Sequence, residues 1–331
     1  MQNILTNNPL VSVPVITYNS ERTVIETLES IKAQTYPNIE LIVSDDCSPD
    51  NTVELCREWI KQNGERFVRT EVITIEKNKG VSANFNRADN ACVGEWVKPI
   101  AGDDVLLPNC IQDCVEYVSK YPETIYLFGR CSAFGAGEAY CQHIDSYFDY
   151  SFFDWTIKEQ LHQLLYVGNC LPATTVFYNK KQSEQFGIKN DERIPLLEDW
   201  PKWINIIRSG IKLHFVDKIL VKYRVGGITT QKRRVTLPFY RSERLMRFYY
   251  QYPEWCKENM NTAIERIVSE ECNVYQMLLE AESEEQSAIH LERNKYEEQY
   301  KIYYERYNRV IHSKAYRLGN ALLKPFRWLR K

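Results

Sequence analysis

From Leu10 to about residue 120, short β-branched and apolar runs alternate with stretches in which apolar residues recur every three or four positions. This alternation predicts a parallel sheet with crossover helices. Strands are expected over Leu10–Thr17, Ile39–Ser44, Glu71–Ile75 and Glu95–Ile100. Val24, Leu28 and Ile31 mark a helix over Ser20–Gln34 with Ser20 as its N-cap, and further helices are expected over Thr52–Lys61 and Val81–Ala91. Pro108 opens another, since proline is tolerated in a first helical turn. Beyond Tyr121 the pattern is mixed: a strand near Ile125–Phe128, a glycine turn at Gly135–Gly137 and an aromatic segment at Tyr147–Trp155. After Leu237 long helical periods take over, interrupted at Pro253, and a seam of Tyr296, Tyr300, Tyr303 and Tyr307 follows. No internal repeat is present.

At 331 residues the chain has room for one large α/β domain with an extension. The change of pattern puts the division at 1–235 and 236–331. With 44% hydrophobic and 26% charged residues, disorder as the main state is excluded. The formal charge of −2 argues against a nucleic-acid partner. Charge is unevenly spread, however: residues 306–331 hold eight of the 42 basic residues and none of the 44 acidic ones, so the rest carries −10. In that tail Ala315, Leu318, Leu322, Phe326 and Leu329 form one stripe flanked by Lys and Arg. Such a segment, 314–331, suits an anionic membrane surface, and a helix packed on its own domain explains it as well. The tyrosine seam fits either a homodimer through C-terminal helices or packing within the chain. No run approaches the ~20 apolar residues of a membrane span, and no secretory pattern opens the chain, so a cytoplasmic location is expected. The ten cysteines form no Cys-x-x-Cys pair and read as reduced, mostly buried thiols.

Acidic groups stand where strands end, which is where open α/β sheets bind ligands. Ser44-Asp45-Asp46-Cys47-Ser48 follows the second strand, and Gly102-Asp103-Asp104 follows the fourth. Each alone reads as an Asx turn. A third pair, Glu198-Asp199, precedes Trp200-Pro201 and an amphipathic helix, where Asp199 alone reads as an N-cap. Taken together they suit a diphosphate, because hard cations need carboxylate oxygens. Neither G-x-G-x-x-G nor a P-loop is present, which disfavours dinucleotide and P-loop chemistry.

Taken in order, Val11-Ser12-Val13-Pro14-Val15-Ile16-Thr17-Tyr18-Asn19, Ile42-Val43-Ser44-Asp45-Asp46-Cys47-Ser48, Asn78-Lys79-Gly80, Gly94-Glu95-Trp96-Val97, Gly102-Asp103-Asp104 and Glu198-Asp199-Trp200 resemble the family 2 glycosyltransferases. The resemblance spans roughly residues 10 to 230, densest at the start. It implies the GT-A fold: a Rossmann-like, mostly parallel mixed sheet flanked by helices, here with a C-terminal helical extension. Thr17 and Tyr18 would line the base of a nucleotide, and Asp46 would accept a hydrogen bond from a pyrimidine N–H, favouring UDP-sugar over a cytidine donor. Lys79 and Gly80 would approach the nucleotide. Asp103 would face the ribose, and Asp104 with Asp103 would hold Mn2+ or Mg2+ across the phosphates.

The same resemblance makes Asp199 the general base of an inverting transfer, with Glu198 as runner-up or acceptor contact, and makes Arg224 a residue that closes the site; the following Gly226-Gly227 and Gln231–Arg234 read either as a mobile loop that could reach phosphate or as an ordinary solvated turn. Pro172-Ala173-Thr174 either borders the acceptor pocket or forms core strand. The sequence departs from the family at Ala101, where a further Asp is commonest, and at Pro14, which should mark an irregular end of the strand or leave a missing ladder bond. The implied reaction extends a saccharide or lipid-linked saccharide of cell-surface polysaccharide, at the inner face of the membrane. A polyprenyl-phosphate sugar synthase and a non-catalytic nucleotide-binding scaffold of the same fold remain as alternatives.

Overall fold

The computed structural model describes residues 8–225, 237–260 and 262–271. Residues 226–236, the tyrosine seam and the basic tail lie outside the described residues. Two compact units are present, Met1–Lys257 and Glu258–Lys331. The sheet lies in the first, and the helices after residue 235 belong to that unit as far as Lys257.

In chain order the elements begin with β1 (Val11–Thr17), α1 (Val24–Lys32), β2 (Ile39–Asp45), α2 (Thr52–Asn63), β3 (Arg69–Thr74) and α3 (Val81–Ala91). There follow β4 (Trp96–Val97), β5 (Ile100–Ala101), β6 (Val105–Leu106), α4 (Cys110–Lys120), β7 (Tyr126–Phe134) and α5 (Glu138–Asp145). The last are α6 (Ile157–His162), β8 (Phe177–Asn179), α7 (Lys180–Gln185), α8 (Asp199–Arg208), β9 (Leu213–Arg224), α9 (Leu237–Met246) and α10 (Tyr252–Glu258). One sheet runs β3-β2-β1-β4-β8-β7-β9-β6, with β5 pairing β1. Its β3, β2, β1, β4 and β5 are parallel, as are β7 and β9, while β8 and β6 run against their neighbours. The expected mixed, mostly parallel sheet is therefore what forms.

Alternation along the strands sorts side chains into two cores. Val11, Val13, Val15, Leu41 and Val43 face one, with Leu28 and Ile31 of α1 and Cys110 and Cys114 of α4. Ile42, Val97, Tyr126 and Phe128 face the other, against Trp203, Ile204 and Ile207 of α8 and Met246 of α9. All nine cysteines among the described residues are unpaired thiols, seven of them buried.

Pro14 explains an irregularity at the centre. Ser12 and Ile16 accept on one side of β1 from the Lys98 and Gly102 amides. Pro14, between them on that side, has no N–H to give. There the expected Glu95–Ile100 strand divides into β4 and β5, with the Lys98 amide still bonded to Ser12 but Lys98-Pro99 outside both strands. Ser20 does not cap α1: the helix starts at Val24 after Thr23, and the Ser20 carbonyl accepts from both amides in a preceding turn. Pro253, expected to interrupt the late helices, does not end them: the backbone stays helical from α9 into α10 through a π-type turn over Arg247–Gln251, just before the proline whose N–H is missing.

Glu40 is fully buried in β2 and receives the Ser12 hydroxyl, the Val93 amide (2.9 Å) and the Arg69 guanidinium. This cluster ties the amino-terminal ends of β1, β2 and β3 to the turn after α3, away from the acidic strand ends. Arg69→Ala leaves that carboxylate without its cation, and urea unfolding is expected to show a loss of about 2 kcal/mol.

Candidate active site

Because β1, β2 and β5 are parallel neighbours, their carboxyl ends lie side by side. Thr17 pairs with Asp45 and Ile16 with Ala101, so Tyr18, Asp46 and Gly102-Asp103-Asp104 leave the sheet from one edge. Two residues there, Asn19 and Cys47, adopt left-handed backbone at φ 54° and 67°. Asn19 N–H donates to Ser48 Oγ at 2.9 Å, locking the two turns together. Asp45 is structural: it accepts from Ser48 N–H (2.7 Å), Ser48 Oγ (2.6 Å) and Thr17 Oγ1 (2.8 Å). Thr17, expected beside the base, is thus buried with its hydroxyl committed to that turn. Tyr18 is 45% exposed and leaves its ring free to meet a planar ligand.

Asp46 is buried, and its Oδ2 accepts from the Gly80 (2.7 Å) and Lys79 (3.0 Å) amides. Its Oδ1 meets Arg87 at 3.2 Å. Lys79 and Gly80, expected to approach a nucleotide, therefore act first through their backbone on Asp46, and the Lys79 side chain is exposed. Arg87 also reaches Asn84 Oδ1 at 2.6 Å, and Asn84 Nδ2 donates to the Thr17 carbonyl at 3.2 Å. Neither α3 residue is among the expected site positions. Their spacing of three on a helix that follows Asn78-Lys79-Gly80 is the signal that points to them.

Gly80 has φ +88°, and a Cβ added there would lie 2.6 Å from Pro195 Cβ and 2.8 Å from its carbonyl oxygen. Gly80→Ala should cost about 2–4 kcal/mol in thermal or urea unfolding, with loss of nucleotide binding as the Asp46 cradle opens. The close approach is made by the loop before Glu198. Ser82 holds that loop through Pro195 O (3.2 Å) and Ile194 O (2.5 Å).

Asp104 is buried, accepting from Thr174 Oγ1 at 2.6 Å and from the Arg224 amide at 2.9 Å. Burial and the neighbouring Asp103 push its carboxyl up to about 7. Asp103 is raised as well, by burial, against the opposing Arg224. Arg224 Nε donates to Asp103 O at 2.8 Å and its guanidinium pairs with Glu26, so it clasps this turn. Pro172-Ala173-Thr174 is not core strand. Residues Ala173–Thr175 form a 3-10 turn that carries the Thr174 hydroxyl to Asp104. Lys98, fully buried, donates to Thr174 O (2.7 Å) and Pro99 O (2.9 Å).

Asp199 opens α8, with Glu198 rather than Asp199 at the N-cap position and making no cap bond. Asp199 Oδ2 accepts from Asn169 Nδ2 at 2.6 Å. Both carboxyls keep a partly open surface yet have protein around them on nearly every side. Burial, then Asp199, pushes Glu198 up to about 8. Asp199 is raised by burial too, with the Trp200 amide and Asn169 opposing.

Two short tethers bring the three acidic groups together. Asn169 on Asp199 and Thr174 on Asp104 are five residues apart, at most about 18 Å of chain. On the other side Pro195 abuts Gly80, which binds Asp46, and Asp199 follows four residues later, at most about 14 Å. Asp46 and Asp104 thus leave the sheet at the carboxyl ends of its parallel strands, and Asp199 is tied to both by short stretches of chain.

Residues 12–181 match the family described as Glycosyl transferase family 2, just over half of the chain. The protein belongs to glycosyl transferase family 2. It is 26% identical over 229 residues to WfaP of Escherichia coli, named as a UDP-Glc:alpha-D-GlcNAc-diphosphoundecaprenol beta-1,3-glucosyltransferase, covering 67% of this chain and 81% of that one. It is 23% identical over 251 residues to TuaG of Bacillus subtilis, named for teichuronic acid biosynthesis, covering 75% and 93%. Among solved structures, TarS of S. aureus (residues 1–349) in complex with UDP-GlcNAc aligns at a TM-score of 0.56 and 21% identity, over 75% of this chain and 66% of that one. The GT-A fold expected from the sequence is thereby shown.

Proposed function

We propose that this glycosyltransferase moves a sugar, with inversion, from a UDP-sugar to a hydroxyl of a saccharide or lipid-linked saccharide acceptor. The short tethers that hold Asp199 near Asp46 and Asp104, at the carboxyl ends of the strands, carry the reading. The names of WfaP and TuaG support a saccharide acceptor in polysaccharide synthesis. The base would stack on Tyr18 and give an N–H to the acceptor capacity left on Asp46, which the Gly80, Lys79 and Arg87 donors hold in place.

Asp103 and Asp104 fit a hard divalent cation such as Mn2+ or Mg2+. They are oxygen donors in one turn, and Asp104 is buried beside a like charge. No group of three or more acidic, His or Cys side chains suited to a metal occurs among the described residues, so the donor's phosphates would complete the set. Ala101 offers no donor atom at the end of β5. Bound there, the cation would neutralise charge developing on the leaving diphosphate.

The acid–base roles follow from unequal surroundings. Asp199 has the Asn169 amide and the first turn of α8 to favour its charge, whereas Glu198 receives no hydrogen bond from another residue among those described. Asp199 would therefore take the proton of the acceptor hydroxyl as it attacks C1 of the sugar, and Glu198 would stay protonated near neutral pH. Incubation with a panel of nucleotide sugars, with and without Mn2+, tests the reading. It predicts Mn2+-dependent release of sugar from a UDP-sugar. Nucleotide binding without sugar release or transfer to any saccharide would favour a scaffold instead.

A further inference from the structure

Lys202 is 5% exposed, a rare position for an ammonium group. It lies one turn into α8, four residues after Glu198 and three after Asp199, so all three share a helix face. Its Nζ makes no hydrogen bond to another described residue. Instead it stands 4.6 Å from the centre of the Phe85 ring of α3 and 4.7 Å from that of Tyr178 of β8, with Trp203 at 6.0 Å. Ring faces attract a cation, but they do not replace the water that burial removes. Negative charge nearby has to offset the rest.

Three carboxyls favour its charge electrostatically, Asp89 of α3 first and then Glu198 and Asp199 at the start of its own helix, none of them within ion-pair distance among the described residues. Asp89 is already satisfied. It accepts the Tyr178 hydroxyl at 2.5 Å and lies 3.7 Å from Lys180, at the start of α7, which also pairs with Glu184 at 3.1 Å. Asp89 thus shares Lys180 and the Tyr178 hydroxyl, whereas Glu198 and Asp199, on the same helix face as Lys202, have no other cation paired with them among the described residues. One cation balances one anion, so the pair should keep one proton between them.

We propose that Lys202 is a positioning residue of the transfer reaction: a caged ammonium that holds a single negative charge on the Glu198–Asp199 pair and thereby keeps Asp199 ionised. The inference rests on the reading of Asp199 as the base. The donors on Asp199 decide which carboxyl carries the charge, and Lys202 decides that one does. Burial pulling Lys202 down to about 8, against the three carboxylates, agrees with an ammonium that is retained at neutral pH by its neighbours.

Carbon-13 NMR of the wild-type chain with labelled Asp and Glu reads the pair without any transfer assay. One carboxyl should titrate above neutral pH and its neighbour below. Ordinary carboxylate titration of both would overturn the proposal. In Lys202→Met the lower titration, and with it the acid limb of kcat/KM, should rise by about one pH unit, roughly a tenfold loss of transfer on that limb. The donor KM should stay unchanged, and Lys202→Arg should restore the limb. An unmoved limb in folded Lys202→Met, or the same shift in Lys202→Arg, would contradict it. If the titrations behave as stated while Asp199→Asn still transfers sugar, the assignment of the base fails and the counter-charge stands.

Discussion

Asp199→Asn is expected to lower kcat by about 10³-fold while leaving the donor KM within about twofold. The side-chain amide is isosteric with the carboxylate and can still accept from Asn169, so the first turn of α8 should keep its shape. What disappears is the group able to take a proton. The pH dependence has a defined sign: a base must be ionised, so the rate falls as pH drops through its folded value. Burial raises that value, so the acid limb should lie above the ordinary Asp range. Steady-state kinetics across pH check both parts. A kcat near wild type in Asp199→Asn would remove the residue from the chemistry.

Asp104→Asn should abolish the metal-dependent part of UDP binding, a weakening of at least about 100-fold in the presence of Mn2+. The folded state should tolerate the change. The substituted side-chain amide would still accept from Thr174 or the Arg224 amide, and burial together with Asp103 already disfavours charge at this position. Calorimetric titration with UDP and Mn2+, beside a thermal melt, separates the two effects. A thermal midpoint no lower than wild type with binding lost is the expected pair of results. Unchanged Mn2+-dependent binding would show that the cation is held elsewhere.

The strand ends were legible because the physics there is local. An apolar run followed by Asp and Gly predicts a turn at a sheet edge, and parallel crossovers bring such edges together. The divided strand at Lys98-Pro99 was foreshadowed by Pro14, since a missing N–H is a property of one residue. Contacts between distant segments were not legible. Nothing near Asn169 or Thr174 in the chain announces that they meet Asp199 and Asp104, because those pairings depend on how β8, α8 and the loop at 194–195 pack. Adjacency to Tyr18 suggests Thr17 for the base. Alternation along β1 turns it inward to Asp45 instead. Lys202 was hidden for a similar reason: a lysine on an amphipathic helix is normally solvated, and its cage comes from α3 and β8.

The most direct measurement is a crystal structure of the full chain with UDP and Mn2+. The account predicts the uracil between Tyr18 and Asp46, the cation about 2.1 Å from an Asp104 oxygen with both phosphates on it, and open space from the diphosphate to Asp199. UDP bound on another face, or Asp199 walled off from the phosphates, would contradict it.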